Sequence, residues 1–373
     1  MAEVHPPISS APRRASANDL AKASARTHRA TKNFANHAFV PSKAKHAVGN
    51  TTAAEVFPPE VLKSLEPVLG PPAGDFMKGR NGVTHYVMEE PDASVAKTPR
   101  DVVCCAHGLG TNLHVYDALA RDLLLAGFTV LRYEYFNHGY SKSDDTFLVI
   151  DENVMVSQVE DLLNHVLEDG EHLHNFVGHS TGGVVAIMAA RSLPNRKIDH
   201  LGLISPAVWA NKPLIAKLGE RVPSFLFNLM KWGFKPMDFA VSDSYTQNCH
   251  VAFARDKKTK EYRYEAAYKK CLAGTKATFA VHPYYTAGIM SISNFYLNDS
   301  LLPLWRDYHK EISAKGVRSN VVYGDEDIVV PNLGTLSTIE NTVCTVLPQQ
   351  GHECLYENTA TVSPVLIEFF NDR

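Results

Sequence analysis

Gly178-His179-Ser180-Thr181-Gly182 constrains this 373-residue chain more than any other stretch, because it joins a strand-like segment directly to a helix-like one. His174-Asn175-Phe176-Val177 is a short apolar run of the kind that forms a buried strand. Gly183-Val184-Val185-Ala186-Ile187-Met188 continues with the small and apolar side chains of a buried helix, and Pro194 ends it. Two glycines flanking a serine at such a junction let the backbone turn sharply and project the hydroxyl at the top of a sheet. A bare G-x-S-x-G is a weak pattern. The strand before it and the helix after it give it meaning.

An activated serine needs a base, an orienter and donors for the developing oxyanion. His352 follows the strand-like run Cys344-Thr345-Val346-Leu347, in a loop that would carry its imidazole back over the sheet toward Ser180. Asp327 lies in Gly324-Asp325-Glu326-Asp327, just beyond the strand-like Asn320-Val321-Val322-Tyr323, where its carboxylate would fix the His352 tautomer. Asp325 is the alternative orienter, and Glu326 is expected to be solvated. His179 reads as a packing residue supporting the turn, and His107 as a loop histidine bonded to backbone. His107-Gly108-Leu109-Gly110 follows the strand-like Asp101–Ala106. Its glycines would aim the Leu109 amide at the serine, and the Thr181 amide would complete the oxyanion hole. One such donor is worth about 3 kcal/mol in a transition state.

With these motifs in the order Ser180, Asp327, His352, the chain resembles the α/β-hydrolase superfamily. It is most similar to the lid-bearing branch of monoglyceride lipases, lysophospholipases and serine aminopeptidase-like hydrolases, over roughly residues 80 to 373. One motif departs from the pattern. Where such proteins carry an Asp followed by a Gly-His-Gly turn and a Ser, this chain reads Glu134-Tyr135-Phe136-Asn137-His138-Gly139-Tyr140-Ser141. Asn tolerates the left-handed backbone region, so the turn can survive. The resemblance implies a mostly parallel central sheet flanked by helices, with a large helical lid inserted after the sixth strand. It also implies hydrolysis of a carboxylic ester, of monoacylglycerol or lysophospholipid type, through an acyl-enzyme and without a cofactor or metal. A serine at position 180 argues against the dehalogenase and epoxide-hydrolase relatives, which use an aspartate nucleophile. Acyl transfer, C–C bond hydrolysis, aminopeptidase action and ligand binding without turnover remain open on the same residues.

The layout supports that fold. Strands are expected over Gly82–Glu89, Asp101–Ala106, Thr129–Tyr135, His200–Ser205 and Ser319–Tyr323, and apolar residues recur at helical spacing in Val154–Glu168. More than a hundred residues separate the last two strands, too many for one crossover helix, so a lid is expected over 207–318 between core segments 56–206 and 319–373. The lid is rich in aromatic residues, Trp209, Phe225, Trp232, Phe253 and Trp305 among them. Most are expected to form its own core and its seam with the main domain, and Pro213–Phe234 is an amphipathic candidate for covering the site mouth or touching a lipid surface.

Net charge is −3, but residues 1–50 carry eight Lys or Arg against Glu3 and Asp19, a local +6 that leaves −9 for the rest. Residues 1–55 read as a basic disordered tail or a mitochondrial or plastid transit segment. The tail reading goes with a cytoplasmic location. No run approaches the roughly 18 apolar residues of a membrane span. Six cysteines show no zinc spacing, and adjacent Cys104 and Cys105 should face opposite sides of a strand in a reducing compartment. With no G-x-G-x-x-G or Walker loop, and with Lys257–Lys260 and Lys269-Lys270 expected on solvated faces, a nucleic-acid or nucleotide partner is not expected.

Overall fold

Val102–Ala106, Asn175–His179 and His200–Ile204 are buried at every residue, which suits strands covered on both faces. They lie side by side in a sheet of eleven strands. The computed structural model describes residues 13–14, 50–144, 150, 152–168, 171–193, 197–208, 252–281, 302–330 and 333–372.

In chain order the strands are β1 (Arg13–Arg14), β2 (Asn50–Thr51), β3 (Asp75–Gly79), β4 (Gly82–Glu89), β5 (Val102–Ala106), β6 (Thr129–Tyr133), β7 (Lys142–Ser143), β8 (Asn175–His179), β9 (His200–Ile204), β10 (Arg318–Gly324) and β11 (Thr342–Leu347). Their spatial order is β1-β11-β10-β9-β8-β5-β6-β4-β3-β2, with β7 beside β4. Every pair from β1 through β6 along that path is parallel, and β4, β3, β2 and β7 add antiparallel. Parallel strands end at one edge, so the loops after β5, β8, β10 and β11 all emerge together. Those loops hold Leu109, Ser180, Asp327 and His352.

Each sheet face has its own apolar core. Cys104, Leu131, Phe176, Leu203 and Val321 pack with helices Glu152–Val166, Thr181–Ser192 and Leu302–Ala314. Cys105, Val130, Val177, Ile204 and Val322 pack with Asp117–Leu125 and Thr359–Asn371 on the other. The adjacent cysteines thus face opposite sides, as strand alternation requires. Val184 to Ala189 are fully buried, because the helix following Ser180 lies between the sheet and two neighbouring helices.

Several boundaries differ from expectation. The strand expected to run to Tyr135 stops at Tyr133, because Glu134 already turns into a hydrogen-bonded loop. Within the stretch read as a tail, Arg13–Arg14 adds a short strand beside β11, and from Asn50 on Thr52 and Glu55 form a capping box on helix Ala53–Val56. Leu302–Ala314 was expected in the lid. It packs instead on the helix after Ser180, burying Trp305 and Ile312 in the main core and joining Glu311 to Arg191 at 2.8 Å. Of the expected lid aromatics, Phe253 packs against Tyr268. Trp209, Phe225, Trp232 and the Pro213–Phe234 helix lie outside the described residues, as does nearly all of the basic segment. No helix among the described residues is long and apolar enough to cross a membrane.

Candidate active site

Ser180 occupies a backbone conformation that side chains rarely adopt, φ 51° and ψ −114°. The flanking glycines explain how it is tolerated. A Cβ on Gly178 would stand 2.1 Å from the Gly182 carbonyl oxygen, and one on Gly182 would stand 1.8 Å from that of Ala106. No larger residue fits either position. The turn is then pinned to β9: the Ser180 amide donates to Ile204 at 2.9 Å, and its carbonyl accepts from Ala207 at 2.9 Å. This is strain held by surrounding structure, the arrangement expected where a side chain must be presented.

Ser180 Oγ lies 3.0 Å from His352 Nε2, and His352 Nδ1 lies 3.0 Å from Asp327 Oδ2. A carboxylate can only accept, so Nδ1 carries the proton and Nε2 is left as the acceptor for the Ser180 hydroxyl. Burial alone would push the His352 pKa down. The Asp327 carboxylate, helped by Glu353 and Glu357, outweighs it and holds the pKa above the ordinary histidine value. Burial would raise the pKa of Asp327, but His352 and the Val330 and Val329 amides keep it below the usual carboxylate range. The two aspartates meet different partners: Asp327 faces the imidazole, and Asp325 accepts from the Gln349 amide at 2.6 Å.

The Gly108 turn lies beside the serine, since a Cβ on Gly108 would be 3.4 Å from Ser180 Cβ. Leu109 follows it directly. Thr181 is the first residue of its helix, where an amide has no acceptor within the helix and the dipole favours negative charge. His107 is buried and bonded to backbone at both nitrogens. Nε2 accepts from the Tyr135 amide at 3.2 Å, which leaves Nδ1 to donate to the Gly108 carbonyl at 2.8 Å. Burial holds its pKa down to about 4, so it stays neutral. His179 is fully buried, and its Nε2 donates to the His352 carbonyl at 3.3 Å; burial lowers its pKa also.

Glu326 was expected to be solvated, yet it pairs with Arg263 at 3.2 Å. Arg263 also donates to the Gln349 carbonyl at 2.9 Å. Glu357 is buried and accepts from the Gly351 amide at 2.7 Å and from the Ala254 amide. Sequence reading missed Arg263 and Glu357. The one available signal was an acidic residue five positions after His352.

In the turn after β6, Asn137 takes φ 61°, the left-handed conformation its side chain tolerates. Glu134 accepts from His85 Nδ1 at 2.9 Å and from the Tyr140 amide at 2.6 Å. Among the described residues, one group could ligate a metal: His179, His352 and Glu353, with ligand atoms within 4.8 Å of one another. It is built on the imidazole that Ser180 and Asp327 already engage.

Residues 97–290, more than half of the chain, match the family model described as serine aminopeptidase, S33. The chain is 33% identical to a monoglyceride lipase of Rattus norvegicus over 129 residues, which is 32% of this chain and 42% of that one. It is likewise 33% identical to a monoglyceride lipase of Homo sapiens over 115 residues, 31% of this chain and 37% of that one. The chain thus spans about two fifths of the length of the curated relatives it matches. Among solved structures, an esterase from Exiguobacterium antarcticum superimposes with a TM-score of 0.60 at 14% identity, covering 80% of this chain and 100% of that one. An enol-lactonase from Burkholderia xenovorans does so at 0.59 and 18%, again covering 80% and 100%. These two share its fold, the α/β-hydrolase fold. The chain belongs to the serine aminopeptidase S33 family of hydrolases.

Proposed function

We propose that this protein is a serine hydrolase that cleaves a carboxylic ester of monoacylglycerol or lysophospholipid type through an acyl-enzyme. The observation that carries the reading is the chain of contacts from Ser180 Oγ to His352 Nε2 and from His352 Nδ1 to Asp327, both 3.0 Å. Ser180 attacks the ester carbonyl as its proton passes to His352 Nε2. The Leu109 and Thr181 amides take the negative charge of the tetrahedral oxygen. His352 then gives its proton to the departing alcohol, and a water activated by the same imidazole releases the acid. The substrate class is inferred from the similarity to monoglyceride lipases over about a third of the chain.

The test is fluorophosphonate labelling of the wild type and Ser180→Ala, read by intact mass, followed by turnover of monoacylglycerols, lysophospholipids and aminoacyl anilides. Labelling that vanishes in the variant, with release of fatty acid from the glycerol esters, is expected. A folded wild type that takes no label would overturn the mechanism, and preference for the anilides would overturn the substrate.

A further inference from the structure

The loop that carries His352 is fastened to Ala252–Arg263, the stretch where the described chain resumes after residue 251. A Cβ on Gly351 would stand 2.5 Å from the Ala252 carbonyl and 2.8 Å from the Ala254 nitrogen, so the two backbones touch. The Glu353 amide donates to the Ala252 carbonyl at 3.1 Å. Glu357 reaches across this seam. One carboxylate oxygen accepts from the Gly351 amide at 2.7 Å, and the other accepts from the Ala254 amide. Arg263 forms a second tie: its guanidinium donates to the Gln349 carbonyl at 2.9 Å, to Glu326 at 3.2 Å and to the Arg255 carbonyl at 3.3 Å. Its own amide donates to the Ala254 carbonyl at 3.1 Å. Gln349 and Gly351 lie within three residues of His352, and Glu326 adjoins Asp327. One short segment therefore grips both loops that hold the base and its orienter.

We propose that Glu357 is a positioning residue for the reaction, its doubly bonded carboxylate setting where the His352 loop stands against Ala254, with Arg263 holding the acid loop to the same segment. The inference rests on the serine-hydrolase reading. A carboxylate is required because both partners are donors. A carboxamide offers one acceptor and turns an N–H toward the other amide. Displacement of a general base by about an ångström costs up to about a hundredfold in rate.

The charges facing Glu357 give the test a signature beyond loss of fit. They are Glu353, His352 and the Cys354 thiol on its own side of the seam, and Arg263 and Tyr264 from the opposite side. Burial pushes its carboxyl up to about 7, against the pull of the two amides. Its negative charge also helps hold the His352 pKa up. Glu357 carries that charge chiefly above about pH 7, so a neutral residue at 357 removes the support over the upper part of the limb, and His352 deprotonates at lower pH there. A residue acting only on overall stability leaves this limb in place.

The experiment measures the rate of fluorophosphonate labelling of Ser180 by intact mass, from about pH 5 to 9. It uses the wild type, Glu357→Gln, Arg263→Met and Ser180→Ala, with circular dichroism and thermal melts to establish folding. The expected result is a plateau rate lower by about tenfold to a hundredfold in Glu357→Gln, with its acid limb moved to lower pH, and a lowered plateau in Arg263→Met. A folded Glu357→Gln protein with the wild-type rate and limb would overturn the proposal. If that variant does not fold, Arg263→Met decides: a lowered rate supports the proposal and a wild-type rate overturns it. An unlabelled wild type overturns the hydrolase reading and this inference together, whereas a labelled wild type with unaffected variants overturns the inference alone.

Discussion

The Asp327 carboxylate meets His352 Nδ1 at 3.0 Å, while Asp325, two residues earlier, accepts from the Gln349 amide at 2.6 Å. The two side chains thus do different work in one loop. Asp327→Asn should lower ester turnover by about a thousandfold to ten-thousandfold, because an amide donor opposite Nδ1 favours the wrong tautomer. Asp325→Asn keeps an acceptor for Gln349 and should retain most activity. Steady-state kcat of both variants on a chromogenic ester checks this, and equal losses would reassign the orienter.

Activity should fall on the acid side at a higher pH than an isolated histidine predicts. The base must be neutral, and the His352 pKa is held above its ordinary value of 6.5 despite burial, chiefly by Asp327. Protonation therefore sets in as pH falls through that raised value, and the acid limb of kcat/KM for the free enzyme reports it. Asp327→Asn removes the charge that raises the pKa, so its residual activity should extend to lower pH. A pH profile of kcat/KM for wild type and variant measures both limbs. An acid limb in the ordinary carboxylate range for the wild type would contradict the assignment of His352.

Gly182→Ala should remove activity and destabilise the protein by about 3 kcal/mol or more, beyond the usual range for overpacking. The added methyl would stand 1.8 Å from the Ala106 carbonyl oxygen, and backbone on both sides leaves no flexible side chain to yield. Chemical denaturation of the variant gives the cost directly. A change below about 1 kcal/mol would mean that the turn has freedom the contacts deny it.

The strand–turn–helix junction at Ser180 and the parallel central strands were legible in the sequence because each depends on local rules. A strand before Gly178 and a buried helix after Gly182 leave little choice for Ser180. Cys104 and Cys105 had to separate to opposite faces once their strand was recognised. Glu357 and Arg263 were not legible, since their partners are main-chain groups of Ala254, Gly351 and Gln349, and a backbone amide carries no mark in the sequence. Leu302–Ala314 was misplaced for a related reason. Its apolar Trp305 and Ile312 fit a lid core or the main core equally well, and only packing against the helix after Ser180 distinguishes them. Glu326 looked like a surface acid until Arg263 arrived from more than sixty positions away.

Glu134 supplies a last prediction, about stability. One carboxylate oxygen, Oε2, accepts both from His85 Nδ1 at 2.9 Å and from the Tyr140 amide at 2.6 Å. Gly139, at φ 50°, packs against it so closely that a Cβ there would stand 1.8 Å from Oε1. Burial would raise the Glu134 pKa, but His85 and the Tyr140 amide outweigh it and hold it below the ordinary value. A carboxylate with a lowered folded pKa contributes stability above its unfolded pKa, about 4.3, and loses that contribution as pH falls through the folded value. Glu134→Gln should therefore cost about 3 to 5 kcal/mol near neutral pH, as breaking a buried pair does, and the gap from wild type should close in acid. Glu134→Asp, one methylene shorter, should keep the charge but draw the shared oxygen back from both donors, for an intermediate cost. Urea unfolding of the three proteins at neutral pH and at about pH 3 tests the sign. A gap that widens in acid would show that the carboxylate is held against its preference, and that the turn is fixed by Asn137 and Gly139 alone.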